Sequence, residues 1–223
     1  MKFLHAERAR ALVLALAIAL AGAAHAQPAP LSPQVATIRD RWAEVSYQTP
    51  KAERAAAFEA LASQAGVARS AQPKDATALI WEGIVLSSWA GARGGLGALG
   101  LVKKARTDFE QALALDPEAL DGAAYTSLGA LYYQVPGWPL GFGDDAKARD
   151  LLAKGLAVDP DGLDANYFQG DFLRDQGDWA GAAAAFEKAL AAPPRPGREL
   201  ADRGRRQEAR TALEEVRGKL ASR

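Results

Sequence analysis

Apolar positions recur at helical spacing along most of this chain, and residues 163–194 give the clearest measure of the pattern. Two helices are predicted there, with Gly177 at the turn between them. The small residues Gly170, Ala182 and Ala189 allow the helices to approach closely, while Leu173, Trp179, Phe186 and Leu190 fill the space between them. The second-helix pattern Ala182, Phe186, Ala189, Leu190, Pro194 recurs at the same spacing in Ala105, Phe109, Ala112, Leu113, Pro117. It recurs again in Ala148, Leu152, Gly155, Leu156, Pro160. Each is preceded by a helix with a glycine, Gly83 in one unit and Gly129 in the other, the latter beside Tyr125, Leu128 and Tyr132. Upstream, Ser32 and Pro33 read as the cap and first position of a helix with Val35, Ile38, Trp42 and Val45 on one stripe. A second helix is predicted to open at Thr49 and Pro50 and to run to about Ala68, with Ala55, Phe58, Leu61 and Val67 on its buried face. A last helix is predicted over residues 198–220, carrying Leu200, Leu213, Val216 and Leu220. No alternating strand pattern occurs.

The order Gly170, Gly177, Trp179, Ala182, Phe186, Ala189, Pro194 resembles a tetratricopeptide repeat, whose unit is ~34 residues long. The resemblance implies an all-α fold, a solenoid of helical hairpins wound as a right-handed superhelix, acting as a binding scaffold. Residues 34–74 then form a degenerate first hairpin, residues 75–194 three units, and residues 195–223 a capping helix. In such repeats the first helix of each unit supplies the concave face. By alignment this names Ser87 and Ser88, then Tyr133 and Gln134, then Tyr167, Asp171 and Arg174 as partner- or ligand-binding residues. The features at residues 81–83, 133–139 and 193–198 resemble those of a group of exported bacterial repeat proteins. Compartment, architecture and apolar loops are also similar to the periplasmic T component associated with TRAP-type solute transporters, which implies an apolar ligand passage.

Two departures interrupt the period. Gly83 to Ala105 spans 22 residues where Gly170 to Ala182 spans 12, and Gly129 to Ala148 spans 19. The ten and seven extra residues fall at about 91–100 and 135–143, both rich in glycine and apolar side chains. Stacked in register, the two insertions emerge on the same edge. In the second, Pro136 and Pro139 restrict the backbone and three glycines permit tight turns. Trp138, Leu140 and Phe142 there have two readings: they fold back into a gap between helices, or they present an apolar surface to a partner or ligand.

Composition adds export. Lys2, Arg8 and Arg10 precede an apolar run over residues 11–24, which ends at Ala24, His25 and Ala26. This reads as a secretory signal cleaved after Ala26, because the 14 apolar residues fall short of the ~20 that span a bilayer. With no cysteine, acylation on that residue is excluded, and a soluble periplasmic or secreted protein is expected. Both histidines and the one methionine lie within the cleaved segment, so the mature chain lacks Cys, His and Met. Thiol nucleophiles, Ser-His-Asp arrangements, imidazole or thiolate metal sites and haem ligation are thereby excluded. Residues 27–33 read as a flexible terminus. Cleavage takes the net charge from 0 to −2, which gives no support to a nucleic-acid partner.

Other motifs are weak. Gly95, Gly97 and Gly100 have the letters of a dinucleotide fingerprint, but a helix precedes them where the fingerprint requires a strand. A glycine-rich nest near Arg93, Lys103 and Lys104 is retained as a minor anion site. Asp144 and Asp145, and likewise Asp159, Asp161 and Asp164, read as caps and turn residues. The alternating charges from Asp202 to Glu215 read as a solvated face. The expectation is a non-enzymatic scaffold with no catalytic residue, metal or cofactor, binding a protein or peptide. The alternative is a carrier for a small apolar ligand, linked to solute transport.

Overall fold

The computed structural model describes residues 30–95 and 97–222, so the secretory signal read over residues 1–26 lies outside the described residues. The described chain is an all-α solenoid of helical hairpins. Its helices are α1 (Pro33–Tyr47), α2 (Arg54–Ala71), α3 (Ala76–Arg93), α4 (Ala98–Leu115) and α5 (Ala119–Gln134), then α6 (Asp145–Val158), α7 (Leu163–Asp175), α8 (Trp179–Ala191) and α9 (Glu199–Ala221). Among the described residues, no helix is long and apolar enough to cross a membrane.

Side-chain oxygens start four helices, each accepting a backbone N–H that the first turn leaves without an internal partner. Ser32 accepts from Val35, Asp75 from Thr77, Asp144 from Lys147 and Asp178 from Gly181. Helix α2 starts later than Thr49 and Pro50 predict, since residues 50–53 form a turn first. Its Val67 is 67% exposed and not on the buried face, which passes instead through Phe58, Leu61, Ala65 and Ala68.

Within each unit the first-helix glycine receives a large side chain of the second helix. A Cβ on Gly83 would lie 2.6 Å from the Phe109 ring, one on Gly170 2.8 Å from Phe186, and one on Gly129 2.9 Å from Leu152. Each glycine is therefore the floor under the neighbour's bulk, and Phe109 and Phe186 are fully buried.

The two sets of extra residues are used differently. Compared with α7 and α8, five of the ten lengthen α3, one the link and four α4, so that most of the first insertion extends helices. All seven of the second lie in the α5–α6 link.

Helices α1, α3, α5, α7 and α9 touch in succession, and α9 in turn touches α1. They make a closed ring, with α2, α4, α6 and α8 outside it. Gly204 of α9 lies against the Tyr47 ring of α1, where a Cβ would come within 2.3 Å. The concave face is therefore the inner wall of this ring.

Candidate functional site: the inner cavity

The inner face of the ring lines a half-open cavity of about 310 Å³. Trp42 of α1, Trp81, Ile84, Ser87 and Ser88 of α3, Leu131 and Gln134 of α5, and Phe168 of α7 line it, with Phe109 reaching in from α4. Trp42 meets Trp81 edge-on at 6.0 Å, and its Nε1 donates to Ser88 Oγ at 2.8 Å. Ser88 Oγ in turn donates to the Ile84 carbonyl, which fixes this corner of the wall. Trp81 is 2% exposed, yet its Nε1 has no hydrogen-bond partner among the described residues.

One part of the wall has an unusual backbone. Leu120, Asp121 and Gly122 have φ of 52°, 57° and 71°, a left-handed turn at the start of α5. Glycine tolerates this conformation, but leucine and aspartate carry a Cβ that crowds the following carbonyl. Leu120 and Asp121 both line the cavity.

A polar clasp closes the ring. Asp164 of α7 accepts from Arg195 Nη1 at 2.7 Å and from Arg205 Nε at 2.8 Å. Arg195 is held from its other side by Asp202, through Nε at 2.8 Å, Nη2 at 2.6 Å and the backbone N–H at 3.0 Å. Arg205 lies 4.4 Å from the Tyr167 ring centre and 4.8 Å from that of Phe168, and its Nη1 pairs with Glu208 at 2.7 Å. Tyr47 OH of α1 donates to the same Glu208 carboxylate at 3.4 Å. Burial alone would raise the Asp164 pKa, but Arg205, Arg195 and Arg198 outweigh it and hold the carboxyl well below the usual range. Burial, with Glu208 and Asp164 nearby, pushes the Tyr47 phenol up against the pull of Arg205.

The charges of α9 are thus only in part the solvated face that their alternation suggests. Asp202 is buried, Arg205 is enclosed, and Arg206 donates to the carbonyls of Leu190 and Ala192 at 2.8 Å, closing the end of α8. Asp164 is likewise an ion-pair centre and not a turn residue.

The residues named from the sequence separate into groups. Ser87, Ser88 and Gln134 line the cavity. Tyr133, Asp171 and Arg174, with Gln134 again, form a second, more open groove of about 650 Å³ on the other side of α5 and α7. Their polar atoms are paired with one another. Tyr133 OH donates to Asp171 at 2.7 Å, and Arg174 binds Asp171 at 2.5 Å and Glu215 at 3.0 Å. Burial and Asp171 push the Tyr133 phenol above its ordinary range. Tyr167 lies between Arg205 and Phe186, as packing under the clasp.

In the α5–α6 link, Phe142 stacks edge-on against Tyr132 at 5.5 Å and under Arg106 of α4 at 4.6 Å, so it folds back. Trp138 and Leu140 do the opposite, 90% and 69% exposed. Lys104 is not available for the anion site expected with Arg93 and Lys103, because its ammonium pairs with the buried carboxylate of Glu82 and lies 3.5 Å from that of Asp108. Among the described residues, no group of three or more His, Cys, Asp or Glu side chains is placed to hold a metal ion.

Sequence reasoning missed Trp42, Trp81, Phe168, Asp121, Asp159, Arg195, Arg198 and Arg205 as lining residues. One signal was present. Asp164 and Arg198 stand one repeat length apart, an acidic and a basic residue at the starts of α7 and α9.

Fold and site together define an all-α hairpin solenoid whose inner helices form a ring lining a half-open cavity. No family model and no curated protein matches the chain. Two solved structures of MamA overlap with it. One has a TM-score of 0.43 at 20% identity, over 75% of this chain and 93% of that one. The other has a TM-score of 0.42 at 19% identity, over 83% of this chain and 91% of that one.

Proposed function

We propose that the chain is a non-enzymatic scaffold, exported to the periplasm or secreted, that binds a protein partner through the Trp138 loop. The observation that carries this reading is Trp138 itself, which presents a large aromatic surface to solvent from a fixed frame. Gly141 and Gly143 donate to the carbonyls of Gly137 and Pro136 at 3.0 Å, and Phe142 roots the loop on Tyr132. An exposed aromatic on a hydrogen-bonded loop suits an interface anchor, because it buries a large area with few rotatable bonds. Affinity-tagged protein recovered from the extracytoplasmic fraction should begin at Gln27 by intact mass and retain a defined protein. Replacing Trp138 and Leu140 by alanine should reduce that retention at least tenfold, while Val67→Ala, at an exposed apolar position elsewhere, leaves it unchanged. Equal retention by the loop variant would overturn the assignment.

A second reading, a carrier for a small ligand, is favoured by the closure of the ring. The half-open cavity of about 310 Å³ lies at the lower end of the ~300–1,000 Å³ typical of small-molecule pockets.

A further inference from the structure

The clasp leaves charges on the cavity wall without partners. Arg195 and Arg205 direct their guanidiniums to Asp164, Asp202 and Glu208. Arg198 does not. Among the described residues no carboxylate lies within ion-pair distance of it, and its guanidinium lies 5.5 Å from the centre of the Trp81 ring. Burial and the like charges of Arg195 and Arg39 push its pKa down, although Asp164 and Asp202 oppose them. Asp121 and Asp159 also line the cavity without an ion-pair partner among the described residues; burial and Asp121 raise the Asp159 pKa against the opposing pull of Arg195. The left-handed turn holds Asp121 at the wall, and strain of that kind persists where the surrounding structure enforces it, often at ligand sites. Trp42, Trp81, Ile84, Leu131 and Phe168 supply apolar surface in the same cavity.

With Arg195 and Arg205 taken up by Asp164, Asp202 and Glu208, the wall keeps one cation, Arg198, and two carboxylates, Asp121 and Asp159, outside ion pairs. A ligand with a single charge would pair with Arg198 or with the carboxylates and leave the other to solvent. A ligand with both charges pairs with both through charge-assisted hydrogen bonds.

We propose that the cavity binds a small zwitterion with an apolar body, a free amino acid or dipeptide with an aromatic side chain, its carboxylate on Arg198 and its ammonium on Asp121 and Asp159. This rests on the reading of the cavity as a ligand site. The buried Trp81 N–H is a further donor on that wall.

Titration calorimetry of the full chain tests the assignment with four probes: L-phenylalanine, L-phenylalanyl-L-phenylalanine, L-phenylalaninamide, which lacks the carboxylate, and 3-phenylpropionate, which lacks the ammonium. One zwitterion should bind at least tenfold tighter than both truncated probes, and which of the two does so separates amino acid from dipeptide. Arg198→Gln should bring that zwitterion down to the level of the amide without weakening the amide. Asp121→Asn should bring it to the level of 3-phenylpropionate, and Ser127→Trp, which fills the cavity, should abolish binding of all four. If the truncated probes bind the unmodified protein as tightly as the zwitterions and Ser127→Trp blocks them, the charge assignment is overturned while the cavity remains a ligand site. If none binds, or Ser127→Trp changes nothing, the cavity reading falls with it. The four-probe comparison on the unmodified protein decides the charge assignment even if a variant fails to fold.

Discussion

Gly170 shows how much of this fold rests on the absence of one carbon. Its place under Phe186 predicts that Gly170→Ala costs about 1–3 kcal/mol by overpacking, although alanine is the better helix former. Gly218, around whose Cβ position nothing lies within 4 Å, should show no such loss on the same change. Urea unfolding, with unchanged slope and a lower midpoint for Gly170→Ala alone, checks the pair; equal midpoints would sink the argument. A second residue-scale prediction concerns Asp108. Burial and the neighbouring Glu82 push its pKa up to about 6, against the opposing pull of Lys104 and Arg69. Its ordinary value is 3.8, so between about pH 4 and 6 the folded state binds more protons than the unfolded chain. Stability from this group therefore falls as pH rises through 6 and returns as pH is lowered. The melting temperature of Asp108→Asn, relative to the unmodified protein, should rise between pH 5 and pH 8; a difference that stays constant with pH would exclude this role.

At the scale of elements, the hairpins were legible because their determinants are local and periodic. Spacing alone placed Ala105, Phe109 and Ala112 in register with Ala182, Phe186 and Ala189, and all six are fully buried. Departures from the period were legible as a number of residues but not as a structure. Nine of the ten extra residues lengthen helices, because α3 and α4 continue together and bury Leu86, Ala90 and Val102 against each other and the core. The second insertion stayed a loop, since Pro136 and Pro139 withhold donors that a helix requires. The same loop divided the two readings of its aromatic residues, Phe142 turning inward onto Tyr132 while Trp138 and Leu140 face water. The cavity was least legible. Ser87, Ser88 and Gln134 follow from their place on first helices, but Trp42, Arg198 and Arg205 reach the wall only through contact between the two ends of the chain. No local period encodes that contact.

For the whole molecule, closure is the property that separates this chain from an open array, in which each unit touches only its neighbours and ends fray independently. Here Tyr47, Glu208, Arg205 and Asp164 tie the first hairpin to the last helix. Gly204→Leu tests the tie, because any Cβ at that position overlaps the Tyr47 ring. The variant should keep its helical circular dichroism, show a larger radius of gyration by small-angle scattering, and unfold in more than one step where the unmodified chain unfolds in one. Unchanged scattering and a single transition would mean that the ring closes without this contact.

The meeting of α9 with α1 also bears on how such a protein can vary. An open array of hairpins lengthens or shortens by whole units with little penalty, since each new unit finds the same neighbour as the last. A ring of five inner helices has no such freedom. Duplicating or deleting one hairpin would move Arg205 away from Asp164 and Tyr47 away from Gly204, so the number of units is fixed by geometry, and change is confined to what a single link can absorb.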